Sequence, residues 1–292
     1  MKGYKFMKLG VSAYSYFGAL NENFNISDAI KHAKKTGFDG IEFLTGMKWK
    51  DLNETDSMKA FRDMCGEEGL EIYSLDGAVN FLGDTDAAIA SAKKMVDNAV
   101  ALGSPAIRCD TLGGDFGKAG ASGIHGAIKI IADAAREVAD YGAEKGVKIM
   151  VENHGYIMQD SFIVEELINE VAHPNYGALV DIGNFLCADE DPITAVGRMA
   201  RYVMHVHAKD FHVKSGSEIF LPTNGWFGTR GGNYLRGAIL GHGTVPVYQC
   251  LRILASKGYQ GAVSLEFEGI ESPIFAIESA FGALKNAQKF IG

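Results

Sequence analysis

The sequence predicts a (β/α)8 TIM barrel in the α/β class, and three observations carry that prediction. Short apolar strand patterns alternate with amphipathic helix patterns from one end of the 292-residue chain to the other. Eight strand–helix pairs fit, at about 36 residues per pair, which suits a barrel of roughly 250 residues with modest insertions. Strict alternation implies parallel strands joined by right-handed crossovers. An open, doubly wound sheet is the structural alternative, and it usually carries a Gly-rich phosphate loop after its first strand. Here that position reads Phe17-Gly18-Ala19-Leu20-Asn21, with no such loop.

The strands are expected at residues 8–16, 40–44, 71–77, 106–112, 148–154, 178–184, 203–210 and 262–268, each a short apolar run of strand length. The helices are expected at residues 26–37, 56–69, 84–103, 123–146, 161–171, 192–200, 247–258 and 273–291. The first three close on Gly37, Gly69 and Gly103, the residue type that ends helices in a left-handed conformation. Residues 1–292 read as a single domain with one long insertion at 211–244. That insertion is Gly-rich, irregular in pattern, and carries Trp226, Phe227, Arg230, Tyr234 and Arg236. A loop of this length is usually functional or disordered, and in a barrel it lies at the C-terminal face, where active sites sit. Its aromatic residues suit a lid or an oligomer contact.

Net charge is −8, which disfavours broad electrostatic binding to nucleic acid or anionic membrane. Cys65, Cys109, Cys187 and Cys250 form no C-x-x-C pair and match no zinc pattern. They read as reduced, buried thiols of a cytoplasmic protein. Residues 1–8 are basic but lead into no signal-type apolar core, and no apolar run reaches the ~20 residues of a membrane helix.

The chemistry concentrates in the second half. Four successive strand patterns run into Glu152, Asp181, His207 and Glu266. Apolar strands tolerate such groups poorly unless they are paired or bound to a cation. Alternation places Met150, Glu152 and His154 on one face, and likewise Leu179, Asp181 and Gly183; His205, His207 and Lys209; Ser264, Glu266 and Glu268. If these faces point inward, the four groups converge at the barrel mouth. Three carboxylates and one imidazole suit Mn²⁺ or Mg²⁺, with Co²⁺ or Zn²⁺ also compatible. Singly, each residue has an ordinary role: Asp181 as a turn cap, His207 as a hydrogen-bonded core histidine. Four coincident endings favour a shared metal site.

Several segments carry a resemblance: Val151-Glu152-Asn153-His154, Asp181-Ile182-Gly183-Asn184, His207-Ala208-Lys209-Asp210, Gly241-His242-Gly243-Thr244-Val245 and Ser264-Leu265-Glu266, with Gly37-Phe38-Asp39-Gly40-Ile41-Glu42 near the start. Over nearly its whole length the chain resembles the xylose-isomerase-like TIM-barrel superfamily, which includes sugar phosphate isomerases/epimerases, ketose 3-epimerases and inosose-metabolising enzymes. The resemblance implies that Glu152, Asp181, His207 and Glu266 bind one divalent ion, typically manganese, and that Glu152 and Glu266 are also the catalytic acid/base pair. Two positions depart from the epimerase pattern. Asn184 stands where a His is usual, and it can hydrogen-bond a hydroxyl but cannot act as an acid or base near pH 7. Arg236 is the best match for an Arg that precedes the Gly-x-Gly turn.

The candidates for substrate binding are His154, Asn184, Lys209, Arg236, Glu42 and His242. Arg108 and Asp110 share a strand face and read as an internal ion pair, His205 as a satisfied core residue, and Glu268 as a supporting one. The expected activity is that of a metal-dependent isomerase or epimerase acting on a ketose, inosose or related keto-polyol through an enediolate, as a homo-oligomer that binds a small sugar or polyol. The alternative is a lyase or dehydratase that expels a leaving group from the same enolate. A DNA-repair enzyme of the AP-endonuclease branch, with its three-zinc site, fits the acidic charge and the single four-residue set poorly, and a non-catalytic sugar-binding barrel is the remaining alternative.

Overall fold

The computed structural model describes residues 7–110, 123–217 and 222–291. Residues 111–112 of the expected fourth strand and 218–221 of the insertion lie outside the described residues, as do residues 1–6 of the stretch read as lacking a signal peptide. The barrel strands are β1 (Leu9–Ser12), β2 (Gly40–Leu44), β3 (Glu71–Ala78), β4 (Ala106–Asp110), β5 (Lys148–Glu152), β6 (Tyr176–Asp181), β7 (Val203–Ala208) and β11 (Val263–Leu265). They form a closed parallel barrel in the order β1-β11-β7-β6-β5-β4-β3-β2. The helices are α1 (Ile26–Thr36), α2 (Glu54–Glu68), α3 (Thr85–Leu102), α4 (Gly123–Lys145), α5 (Ser161–Val171), α6 (Pro192–Met199), α7 (Val247–Ser256) and α8 (Pro273–Ile291). Among the described residues no helix is long and apolar enough to cross a membrane.

Local chemistry explains the boundaries. Asn25 caps α1 by accepting from the backbone N–H groups of Ser27 and Asp28, and Asp28 returns the bond to the Asn25 N–H. Gly37 ends that helix at φ 109°, a conformation that costs other residues strain. Asp84, Asp160 and Asp191 cap α3, α5 and α6 by accepting from the backbone N–H groups of Ala87, Ile163 and Thr194, and Pro192 sits in the first turn of α6, where its missing N–H is harmless.

The chain divides into two compact units, Met1–Ile41 with Val180–Gly292, and Glu42–Leu179; β2 and β6 run through both. In the first unit, β11 pairs with β1 and with β7, in register Val11↔Leu265 and Ser264↔His207. Phe38 and Phe281 pack edge to face at 4.8 Å. In the second unit, β4 pairs with β3 and β5, and β5 with β6, in register Glu152↔Leu179. There α4 buries Ile128, Ile131, Ala135 and Val138, a stripe at helical spacing.

Two expectations need correction. The strands stop earlier than the sequence pattern suggests: His154, Asn184 and Glu268 lie in the segments beyond β5, β6 and β11, and the end of the first expected strand is a 3-10 turn, Ala13–Tyr16. The insertion is also not irregular throughout. It carries β8 (Asp210–Lys214), β9 (Phe227–Gly228) and β10 (Tyr234–Ala238), an antiparallel sheet in the order β8-β10-β9. Its strands are too short to show a period, and the Arg236↔His212 pairing is 24 residues apart in sequence. Phe211 and Leu235 are fully buried there with Cys187, so the sheet has its own apolar core.

Candidate active site

In the first unit, Asp181 is the last residue of β6, His207 the penultimate residue of β7, and Glu266 follows β11 directly. All three are buried. Each offers one ligand atom, and these atoms lie within 4.8 Å of one another. The strand ends are fixed by backbone bonds: Ile182 N–H donates to the His207 carbonyl and Glu266 N–H to the Ala208 carbonyl, each at 3.1 Å. Asp181 Oδ1 accepts from the N–H groups of Gly183 (2.8 Å) and Asn184 (3.0 Å), which is the turn-capping role considered above. Its Oδ2 faces Lys209.

Lys209 organises this half of the site. Its Nζ lies 2.7 Å from Glu266 Oε2, 3.2 Å from Asp181 Oδ2 and 3.6 Å from Glu268 Oε2, and it donates to Asn184 Oδ1 at 3.1 Å. His207 Nδ1 is 3.6 Å from Glu266 Oε2. Burial by itself would raise the Glu266 pKa; the charges of Lys209 and His207 reverse that and hold it well below the usual carboxylate range. Asp181, Glu266 and Glu268 thus gather around the one ammonium of Lys209.

In the second unit, Glu152 ends β5 and is buried. Arg108 Nε is 3.3 Å from Glu152 Oε2, and its Nη1 donates to Asp110 Oδ2 at 2.6 Å. Asp76 lies 3.8 Å from the same guanidinium. The Arg108–Asp110 ion pair expected from the sequence is therefore present, and it extends to Glu152. His154 Nδ1 is 2.9 Å from Asp110 Oδ2 with its side chain half exposed, and this bond raises the imidazole pKa to about 9. Glu42 is fully buried in β2.

Arg236 and His242 belong to the insertion after β7. Arg236 lies on β10, its guanidinium 5.6 Å from the Trp226 ring and 3.6 Å from Glu271. His242 is exposed in the Gly241–Gly243 turn. That turn is held by Asp210, whose carboxylate accepts from the N–H groups of Phe211 (2.8 Å), Gly241 (2.9 Å), Gly243 (2.8 Å) and Val245 (3.0 Å). One buried carboxylate thus ties both ends of the insertion together. A side chain at Gly243 would run into that carboxylate.

Sequence reasoning missed Asp210 as the anchor of the insertion. The signal for Asp210 was a carboxylate placed directly before a long excursion whose far end is a Gly-x-Gly turn.

A sequence profile described as xylose isomerase-like TIM barrel matches residues 30–287. The chain belongs to that family. An inosose dehydratase from Clostridium beijerinckii is 26% identical over 170 residues, 56% of this chain and 53% of that protein. The chain thus matches about half the length of this curated relative. The zinc-bound IolI protein superimposes with a TM-score of 0.73 at 19% identity, over 98% of both chains. D-Allulose 3-epimerase from Methylomonas sp. does so with a TM-score of 0.71 at 18% identity, over 98% of this chain and all of that one. Likeness to these structures at such identity establishes the shared fold.

Proposed function

We propose that this chain is a divalent-metal-dependent isomerase or epimerase that moves a proton next to the carbonyl of a ketose, inosose or related keto-polyol, with the whole chain acting as one barrel domain. The observation that carries the reading is the buried set Asp181, His207 and Glu266, with ligand atoms within 4.8 Å of one another. Its donors are oxygen and imidazole nitrogen without sulfur, the types that Mn²⁺ and Mg²⁺ accept and Zn²⁺ or Co²⁺ tolerate. Glu152 is the proposed fourth ligand. Its register partner is Leu179, and Asp181 is the next residue on the same face of β6. Manganese is the proposed ion.

Such an ion would supply the positive charge that stabilises a developing enediolate. The chain's own residues do the rest. Glu152 and Glu266 are the proton carriers; Lys209 keeps Glu266 ionised, and Arg108 orients Glu152 before substrate binds. Lys209 and Asn184 hold polar groups beside Glu266 for a substrate oxygen. His154 is a further hydrogen-bond donor, fixed by Asp110.

A second reading, loss of water from the same enolate, is favoured by the relative named inosose dehydratase. A panel of ketoses and inososes with Mn²⁺ in D₂O, followed by NMR and mass spectrometry, separates the two. Deuterium next to the carbonyl without loss of water supports isomerisation, and loss of water supports elimination. Glu152→Gln is expected to abolish both. A protein that binds no divalent ion, together with a fully active Glu152→Gln variant, would sink the proposal.

A further inference from the structure

The 3-10 turn after β1 is fastened to the end of β11 beside Glu266. Ser15 Oγ accepts from Phe267 N–H at 2.9 Å and donates to the Leu265 carbonyl at 3.4 Å. These bonds set the turn that carries Tyr14 beside the segment that carries Glu268, the residue after Phe267. Tyr14 is half-buried and packs edge to face on the exposed Phe17 at 5.4 Å. Glu268 keeps 24% of its side chain exposed, and Lys209 Nζ reaches it at 3.6 Å while bonding the more deeply buried Glu266. Burial first, and then the Glu268 charge, raise the Tyr14 pKa, so the phenol stays a neutral O–H.

We propose that Glu268 and Tyr14 form a substrate-reading face above Lys209, in which Glu268 accepts from a substrate hydroxyl and excludes an anionic substituent while Tyr14 positions the same part of the ligand. This rests on the keto-polyol reading above. Asp181, Glu266 and Glu268 all meet the Lys209 Nζ, and Glu268, with the most exposed side chain, is the most open of the three. Three carboxylates already share the Lys209 ammonium, so it is not free to pair with a phosphate. A hydroxyl meets Glu268 as a donor meets an acceptor, whereas a phosphate meets it as a like charge. Tyr14 adds an O–H for a polyol oxygen.

The test is calorimetric binding of an inosose and of its monophosphate to the Mn²⁺-loaded protein, with metal titration confirming that each variant is loaded. Wild type is expected to bind the neutral compound at least about tenfold more tightly than the phosphate. Glu268→Gln should reduce that preference to about threefold or less. Tyr14→Phe should weaken the neutral compound several-fold. An unchanged preference in Glu268→Gln, or a wild type that prefers the phosphate, overturns the proposal. Should Glu268→Gln fail to fold, Glu268→Asp serves: it keeps the charge and withdraws it by one methylene, so neutral binding should weaken while the phosphate stays rejected, and a variant indistinguishable from wild type overturns the proposal. Failure of both compounds to bind loaded wild type removes the substrate reading and this inference together. Binding of the neutral inosose with no proton exchange in D₂O removes the proposed reaction and leaves the Glu268 face standing.

Discussion

Replacing Lys209 with Met tests the electrostatic logic of the site directly. The side chain is nearly fully buried, and its ammonium lies 2.7 Å from Glu266 and 3.2 Å from Asp181. At an effective dielectric near 20, charges at those separations attract by about 6 and 5 kcal/mol before desolvation is counted. Desolvation of all three groups takes back most of that, and removing one partner of a buried pair costs about 3–5 kcal/mol because a charge is left uncompensated. For a chain of this size that corresponds to a fall in Tm of roughly 5–8 °C in the metal-free protein. Methionine keeps an unbranched apolar side chain, so lost packing contributes little. A divalent ion then has no ammonium to compete with. Saturating Mn²⁺ should therefore raise the Tm of Lys209→Met by more than it raises that of wild type. The assay is thermal unfolding by circular dichroism in chelator and in excess Mn²⁺. A metal-free variant that melts with wild type, or a variant stabilised no more than wild type by Mn²⁺, refutes the reasoning.

Other outcomes follow from the same physics. Asp210→Ala leaves four backbone N–H groups without their shared acceptor and should cost about 3–5 kcal/mol in urea unfolding, with Asp210→Asn recovering part of it; equal stability of Ala, Asn and wild type would show that the insertion does not depend on this carboxylate. Gly243→Ala should destabilise by the same route, because its Cβ meets the Asp210 carboxylate; a neutral effect on the urea midpoint would contradict that packing. The four cysteine thiols are buried, and burial pushes each pKa up to about 12. At pH 8 the folded thiols therefore stay protonated, so a thiol reagent should label none of them until denaturant is added, and labelling should become easier as the pH rises toward 12. Prompt labelling of native protein at pH 8 would show that at least one thiol is accessible.

The sequence by itself determined the barrel and the identity of the polar strand endings. Alternation with a regular spacing is a local property, because each strand and helix writes its own period and its own cap, as Asn25, Asp28 and Gly37 do around α1. A carboxylate or imidazole at the end of an apolar strand is equally local, which is why Asp181, His207 and Glu266 could be singled out before their distances were known. Tertiary structure decided what these groups face. Whether Lys209 reached a substrate oxygen or a carboxylate depended on side chains 28 and 57 residues away, and it pairs with both Asp181 and Glu266. Arg108 proved to hold Glu152 as well as Asp110, because β4 and β5 are neighbours in register. The insertion was least legible. Its strands are two to five residues long, and its anchor, Asp210, gathers N–H groups from positions up to 35 residues away. Short strands carry no period, and a hydrogen bond between distant backbone groups leaves no trace in composition, so only the folded chain could reveal that sheet and the carboxylate that closes it.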